Sequence, residues 1–291
     1  MIFNRIAIVG LGLMGGSLGL AIKLKGLARV VTGFARRAET RELALELGIV
    51  DQVFERPEDA VQAANLAVFC TSVSSIPELI GACRTRLAAD GVITDVGSCK
   101  AEIVKRVEAL FPRGPVPFIG SHPIAGSERQ GIEAASAMLY QDTLVALTPT
   151  RRTASAARVQ VMRLWQGIDA RVQAISPEAH DRLLAKTSHV PHLVAALLAT
   201  CVGRTQPGRV GPFCGTGFFD TTRIAEGDPQ LWRDIIRANQ PAIYNELKVF
   251  SREADHLLSI LKSGDLEILA KFLQTSRERR RALTRGQGTV S

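Results

Sequence analysis

Arg5-Ile6-Ala7-Ile8-Val9-Gly10-Leu11-Gly12-Leu13-Met14-Gly15 opens the chain with a β-branched run that turns into glycines. A short, continuous apolar run of this kind marks a strand buried on both faces. Beyond it Leu18, Ala21, Ile22 and Leu24 recur at roughly helical spacing, and Gly26 suits a helix C-cap. The glycines therefore sit between a strand and a helix, where a dinucleotide fingerprint must sit. Gly10 makes the tight turn, Gly12 lets the backbone approach a pyrophosphate, and Gly15 lets helix and strand pack closely. Leu11, Leu13 and Met14 complete that cofactor-binding turn, and the helix N-terminus supplies an anion site. A bare G-x-G-x-x-G is weak; the alternative is a glycine-rich turn that binds nothing.

Outward from the turn, strands and helices alternate. Val30-Val31-Thr32-Gly33-Phe34 reads as the second strand. An NAD site usually ends this strand with an acid that holds the ribose 2′-hydroxyl. Here Ala35 stands there, followed by Arg36 and Arg37, whose guanidiniums can pair with a 2′-phosphate. The expected cofactor is NADP, with NAD possible; the alternative is that both arginines are solvated. Leu66 to Cys70 is a further buried strand, ending in Thr71 and Ser72, small residues at a strand C-terminus where such sheets bind ligands. Gly91 to Val96 is the next strand, and Gly97-Ser98-Cys99-Lys100 opens a helix. Ser98 is either an N-cap or a residue facing nicotinamide and substrate. The pattern predicts a doubly wound, Rossmann-type α/β domain over residues 1–175, closing with a strand from Ala170 to Ile175.

Within it, Gly120-Ser121-His122-Pro123-Ile124-Ala125-Gly126-Ser127-Glu128 follows the strand-like run Val116 to Ile119. Glycines flank the histidine, and Pro123 pushes it towards an extended conformation. The spacing predicts His122 on a turn, aimed, with a proton that exchanges near neutral pH. A helix is expected around Glu133 to Leu139.

From Ser176 strand-like runs disappear, and residues 176–291 read as an all-helical domain. Ser176-Pro177-Glu178 is a helix start. Ser188 and His192 are four apart and so share a helix face, with Pro191 expected to kink it. His180, His189 and His192 lack a carboxylate at matching spacing, so no metal is expected. Gly217 to Pro229 reads as a loop carrying Arg223, which either grips a substrate carboxylate or pairs with Asp220. Two long amphipathic helices, Gln230 to Ser263 and Asp265 to about Arg285, have wide apolar faces suited to a homodimer interface.

The net charge of +8 points to anionic partners. A phosphate-bearing cofactor and a carboxylate substrate account for it. No nucleic-acid motif accompanies the charge, and aromatics are only 5%, too few for a stacking set. No apolar run reaches the roughly 20 residues of a membrane helix. Five scattered cysteines without a C-x-x-C pair fit free thiols in the cytoplasm.

Several stretches together resemble the prephenate/arogenate dehydrogenases of tyrosine biosynthesis. They are Gly10 to Gly16, Asp95 to Lys100, Gly120 to Glu128, Thr187 to His192, and Phe219 to Ala225 with Asp228-Pro229 and Trp232-Arg233-Asp234. They come in the family's order and span nearly the whole chain. The resemblance implies oxidative decarboxylation of prephenate or arogenate, with hydride passing to NAD(P)+. It implies His122 as general base, Ser98 near the hydroxyl or nicotinamide, and Arg223, His192 and Ser188 on the substrate. Glu128 and Asp220 would orient Arg223. No chorismate mutase segment precedes and too little chain follows for an ACT domain, so a single-function form is expected. Two rivals remain at this level. A β-hydroxyacid dehydrogenase would rely on a lysine, here Lys186, without its glycine-rich context, and a nucleotide-sensing regulator would need neither His122 nor Arg223.

Overall fold

The computed structural model describes residues 2–125, 131–204 and 207–285. Among the described residues eight strands form one sheet: β1 (Phe3–Val9), β2 (Ala28–Phe34), β3 (Gln52–Phe54), β4 (Leu66–Phe69), β5 (Val92–Asp95), β6 (Phe118–Pro123), β7 (Leu144–Thr148) and β8 (Arg171–Ala174). Their order is β3-β2-β1-β4-β5-β6-β7-β8. All neighbours are parallel except β6 and β7. Between the strands run α1 (Leu13–Leu24), α2 (Ala38–Glu46), α3 (Pro57–Ala60), α4 (Ile76–Cys83), α5 (Ala101–Ala109) and α6 (Ser155–Gly167).

The apolar run of β1 is divided between two cores. Ile6 and Ile8 pack on one side of the sheet with Leu18 and Ile22 of α1 and Leu164 and Trp165 of α6. Ala7 and Val9 pack on the other with Ile76 and Ile80 of α4 and Ile103 and Val107 of α5. A strand with both faces covered needs apolar residues at every position, which is why β1 does not alternate. The strand order reverses between β1 and β4, so the crevice for a ligand opens at their C-terminal ends.

The helical half contains α7 (Pro177–Leu184), a π-helical turn (Ala185–His189), α8 (Val190–Gly203), α9 (Pro207–Val210), α10 (Thr216–Thr222), a 3-10 turn (Arg223–Glu226), α11 (Pro229–Ala238), α12 (Gln240–Ser263) and α13 (Leu266–Arg285). Ser176 caps α7, accepting from the Ala179 N–H, and Asp228 caps α11 from Gln230. Pro191 has no N–H, so it cannot close an α-turn onto Thr187. The backbone answers with one widened turn, in which the Val190 N–H reaches the Ala185 carbonyl. The expected kink is thus a π-turn.

Three local expectations are corrected. Residues 133–139 form turns rather than a helix, because the segment is pinned to α1 through Ser136 and Tyr140. Residues 217–229 are mostly helical, in α10 and the following 3-10 turn. Asn239 interrupts the long helix expected from Gln230, turning its side chain inward.

Contacts divide the chain into two compact units, Met1–Ile243 and Tyr244–Ser291. The first includes α11, whose Ile235 is buried in the lower face of the sheet. The second carries α13 and most of α12, joined at Gly264 with φ +69°. Leu258, Leu261, Leu266, Ile268 and Leu273 are exposed on it. No described helix is long and apolar enough to cross a membrane.

Candidate active site

The glycine turn meets the geometry its sequence demands. Gly10 has φ +105°, and a Cβ there would lie 2.6 Å from the Cys70 carbonyl and 2.8 Å from the Thr71 methyl. A Cβ on Gly15 would collide with the Gly10 carbonyl, while one on Gly12 would meet nothing. The space above Gly12 is thus open for a pyrophosphate, at the N-terminus of α1. Leu11 turns its side chain into the core and offers only backbone; Leu13 and Met14 are half-buried in the first turn. The Met14 carbonyl accepts the Tyr140 hydroxyl at 2.7 Å. Thr71 lies against the turn, its methyl beside Gly10, and Ser72 is joined to it through Ser75. Arg36 and Arg37 are exposed just beyond β2, and among the described residues their guanidiniums form no ion pair. This donor set fits a dinucleotide.

His122 lies inside β6, paired with Ala146 of β7, and not on a turn. The antiparallel partner extends the strand through Pro123, and this pairing was invisible locally. Beneath it Asp95 and Lys100 form a fully buried ion pair. Lys100 also donates to the Ser121 carbonyl at 2.9 Å, and Asp95 accepts from the Gly97 and Ser121 N–H groups. The neighbours of Ser98 and of His122 are therefore clamped by one charge pair. Ser98 itself is half-buried at the end of β5. It is not a cap. Asp181 of α7 caps α5 instead, accepting from the Lys100 N–H at 2.8 Å and the Ala101 N–H at 2.9 Å.

Sequence reasoning missed the next feature. His122 Nδ1 lies 2.9 Å from His180 Nε2, and His180 Nδ1 lies 2.8 Å from Asp181 Oδ1. A carboxylate capping a helix only accepts, so His180 must carry its proton on Nδ1. The Nε2 of a neutral His180 then accepts, and His122 must donate from its own Nδ1. The chain of acceptors leaves the His122 Nε2 as a bare lone pair. Loss of solvent first, then the repulsion that a charged ring would meet from His180, Lys100 and His189, hold the His122 pKa well below the usual imidazole range. The signal that could have revealed the relay was the His180-Asp181 dipeptide itself, next to a helix start.

From Asp181 the contacts continue. Asn239 donates to the Asp181 carbonyl at 2.7 Å and lies 3.2 Å from His189 Nδ1. His189 sits edge-on to Trp232, and His192 stacks flat on the same indole, 3.5 Å between centroids and 12° apart. The His192 ring hydrogen-bonds the Ile224 backbone, beside Arg223, and its Nδ1 is buried with no partner among the described residues. A buried nitrogen without a protein partner is free to meet a water or a ligand atom. One continuous path thus joins His122 to the turn that carries Arg223. Arg223 is exposed and engaged in an interaction, and Asp220 is exposed on α10, one turn earlier. Ser188 is half-buried in the π-turn, where Lys186 is exposed. Glu128 lies outside the described residues. Among the described residues, no group of three or more His, Cys, Asp or Glu side chains is arranged to hold a metal.

A glycine turn at a switch point, on the same sheet as a buried histidine whose pKa is lowered, is the arrangement of a nicotinamide-dinucleotide-dependent oxidoreductase. Comparison with known proteins sharpens that class. The model of the prephenate dehydrogenase nucleotide-binding domain matches residues 18–174, and that of the prephenate dehydrogenase dimerization domain matches residues 176–275. The cyclohexadienyl dehydrogenase of Zymomonas mobilis is 33% identical, covering 97% of each chain. The crystal structure of Aquifex aeolicus prephenate dehydrogenase with hydroxyphenyl propionate and NAD+ superposes with a TM-score of 0.89 at 31% identity, covering 96% of this chain and 98% of that one. Synechocystis arogenate dehydrogenase gives 0.81 at 28% identity, covering 96% and 99%. The chain belongs to the prephenate dehydrogenase family. It is an NAD(P)-dependent prephenate/arogenate dehydrogenase of tyrosine biosynthesis.

Proposed function

We infer that His122 is the general base of the oxidative decarboxylation and that Arg223, His192 and Ser188 hold the substrate. The observation that carries this reading is the relay, which leaves the His122 Nε2 as an acceptor. The substrate is a cyclohexadienol with a ring carboxylate and a hydroxyl on the opposite carbon. His122 Nε2 takes the hydroxyl proton as hydride leaves the same carbon. A dinucleotide held at Gly10 to Gly15, with Thr71 and Ser72 alongside, supplies the hydride acceptor. The imidazolium that forms is stabilised through His180 by Asp181, as a buried carboxylate stabilises a charged ring. Carbon dioxide then leaves, the ring becomes aromatic, and the proton returns to the oxygen. Ser98 contacts the hydroxyl or the nicotinamide. His192 offers its unpaired Nδ1 to the substrate.

The cofactor is NADP in preference to NAD, on the strength of Ala35 in place of an acid and the unpaired Arg36 and Arg37. The functional division falls at 175/176, and the apolar face on α12 and α13 makes a homodimer, as the description of the matched dimerization domain supports. Five free cysteines support a cytoplasmic location.

Two substrates assayed against two cofactors, by the absorbance of reduced nicotinamide, test the reading. Turnover is expected with prephenate or arogenate and fastest with NADP+; none with any pairing contradicts it. Arg223→Ala should raise KM roughly ten- to hundredfold, the loss of one charge-assisted contact. An unchanged KM removes Arg223 from the substrate.

A further inference from the structure

One helix of the second half, α11, reaches both ligand sites. Trp232 on α11 carries the stacked His192. Two residues on, Asp234 Oδ2 accepts the Ser74 hydroxyl at 2.7 Å, across 160 positions of sequence. The next residue, Ile235, is 3% exposed, and its carbonyl accepts the thiol of Cys99, the neighbour of Ser98, at 3.6 Å. The Ser74 hydroxyl also holds the Asp234 carboxyl below the usual carboxylate range.

Ser74 ends a run of hydroxyls that begins at the dinucleotide turn. Ser75 Oγ donates to Thr71 Oγ1 at 3.0 Å, and the Thr71 methyl abuts Gly10. Ser72 Oγ lies 2.9 Å from Ser75 Oγ and 3.3 Å from Ser74 Oγ. Each hydroxyl has one proton to give. Asp234 takes the proton of Ser74, and Thr71 Oγ1 or the Ser72 carbonyl takes that of Ser75. Ser72 then has one proton and two hydroxyl neighbours that both lack a donor. Ser72 is exposed, one residue beyond the Thr71 that abuts the glycine turn, so a ligand that reaches it decides which neighbour it serves.

We propose that Ser74 and Asp234 are positioning residues through which dinucleotide binding at the glycine turn and substrate binding at His192 and Arg223 strengthen one another. The proposal rests on the site reading above. A dinucleotide that orders Ser72 fixes Ser74 on Asp234, and this holds α11 with Trp232 flat against His192. The substrate then meets a pocket already ordered, so less is lost on binding. Linkage makes the effect mutual: each ligand must tighten the other by the same factor.

The test is the affinity of 4-hydroxyphenylpyruvate, by titration calorimetry, with and without saturating NADP+, and with NAD+ in a parallel arm. In the wild type the dinucleotide should tighten that affinity at least about fivefold, the lower end of common couplings. Ser74→Ala and Asp234→Ala should bring the ratio to about one, while Ser74→Thr, which keeps the hydroxyl, should restore it. The reversed titration should give the same ratios by linkage, whereas a merely structural role would weaken each ligand on its own and leave the ratio at its wild-type value. A wild-type ratio of one, or a ratio kept in both alanine variants, overturns the proposal. Wild-type turnover with prephenate or arogenate checks the site reading separately: an active enzyme with an insensitive ratio sinks the coupling alone.

Discussion

The glycine turn after β1 and the histidine strand β6 meet the same end of one sheet, yet they are made by opposite means. The turn works through missing side chains. Among the described residues nothing stands where a Cβ on Gly12 would lie, and at Gly15 a Cβ would not fit. The strand works through stacked polar side chains, with Lys100 and Asp95 beneath it and His180 and Asp181 beside it. The first needs only its own few residues and the strand next to it. The second needs a histidine 58 positions away and an aspartate that is already capping another helix. An open glycine turn can be written locally; a histidine with one ring nitrogen fixed as an acceptor has to be assembled.

Three substitutions separate the two constructions. His122→Asn should cost the most, about 10²- to 10⁴-fold in kcat with KM little changed, because proton removal belongs to the transition state. Steady-state kinetics read this directly, and a loss confined to KM would make the ring a binding group. Gly15→Ala should act on the other side of the comparison. Its methyl meets the Gly10 carbonyl, so a loss of about 1–3 kcal/mol in stability and a weaker dinucleotide affinity are expected, by thermal melts and cofactor titration. His122→Asn should leave both of those quantities intact. The smallest effect is on acid stability. His189 is buried and pushed down to about 4, chiefly by loss of solvent. Between that value and the ordinary imidazole pKa of about 6.5 the unfolded chain holds a proton the native state does not, so stability falls as pH falls. Denaturant melts of His189→Asn should show the slope in that window reduced by up to about 1.4 kcal/mol per pH unit.

The same contrast explains what could be read in advance. The β1 run, its glycines and α1 were legible, because burial on two faces and a tight turn both leave local marks. The order of an α/β half followed by a helical half was legible as well. The short β3 was not, since three residues beside Asp51 carry no periodicity. The placing of His122 in a strand was hidden because β7 supplies the pairing from later in the chain. The relay was hidden because His180 and Asp181 look like an ordinary polar pair in an amphipathic helix. Only the packing of α7 on the N-terminus of α5 gives that aspartate three donors to accept from, and so fixes which histidine nitrogen stays bare.

Nitrogen-15 chemical shifts of the His122 ring, followed from neutral pH into acid, observe that nitrogen itself. The relay predicts a proton on Nδ1 and a bare Nε2 at neutral pH, with protonation of Nε2 only well below the ordinary imidazole range. A proton resident on Nε2 at neutral pH, or a titration at the ordinary imidazole pKa, would contradict it.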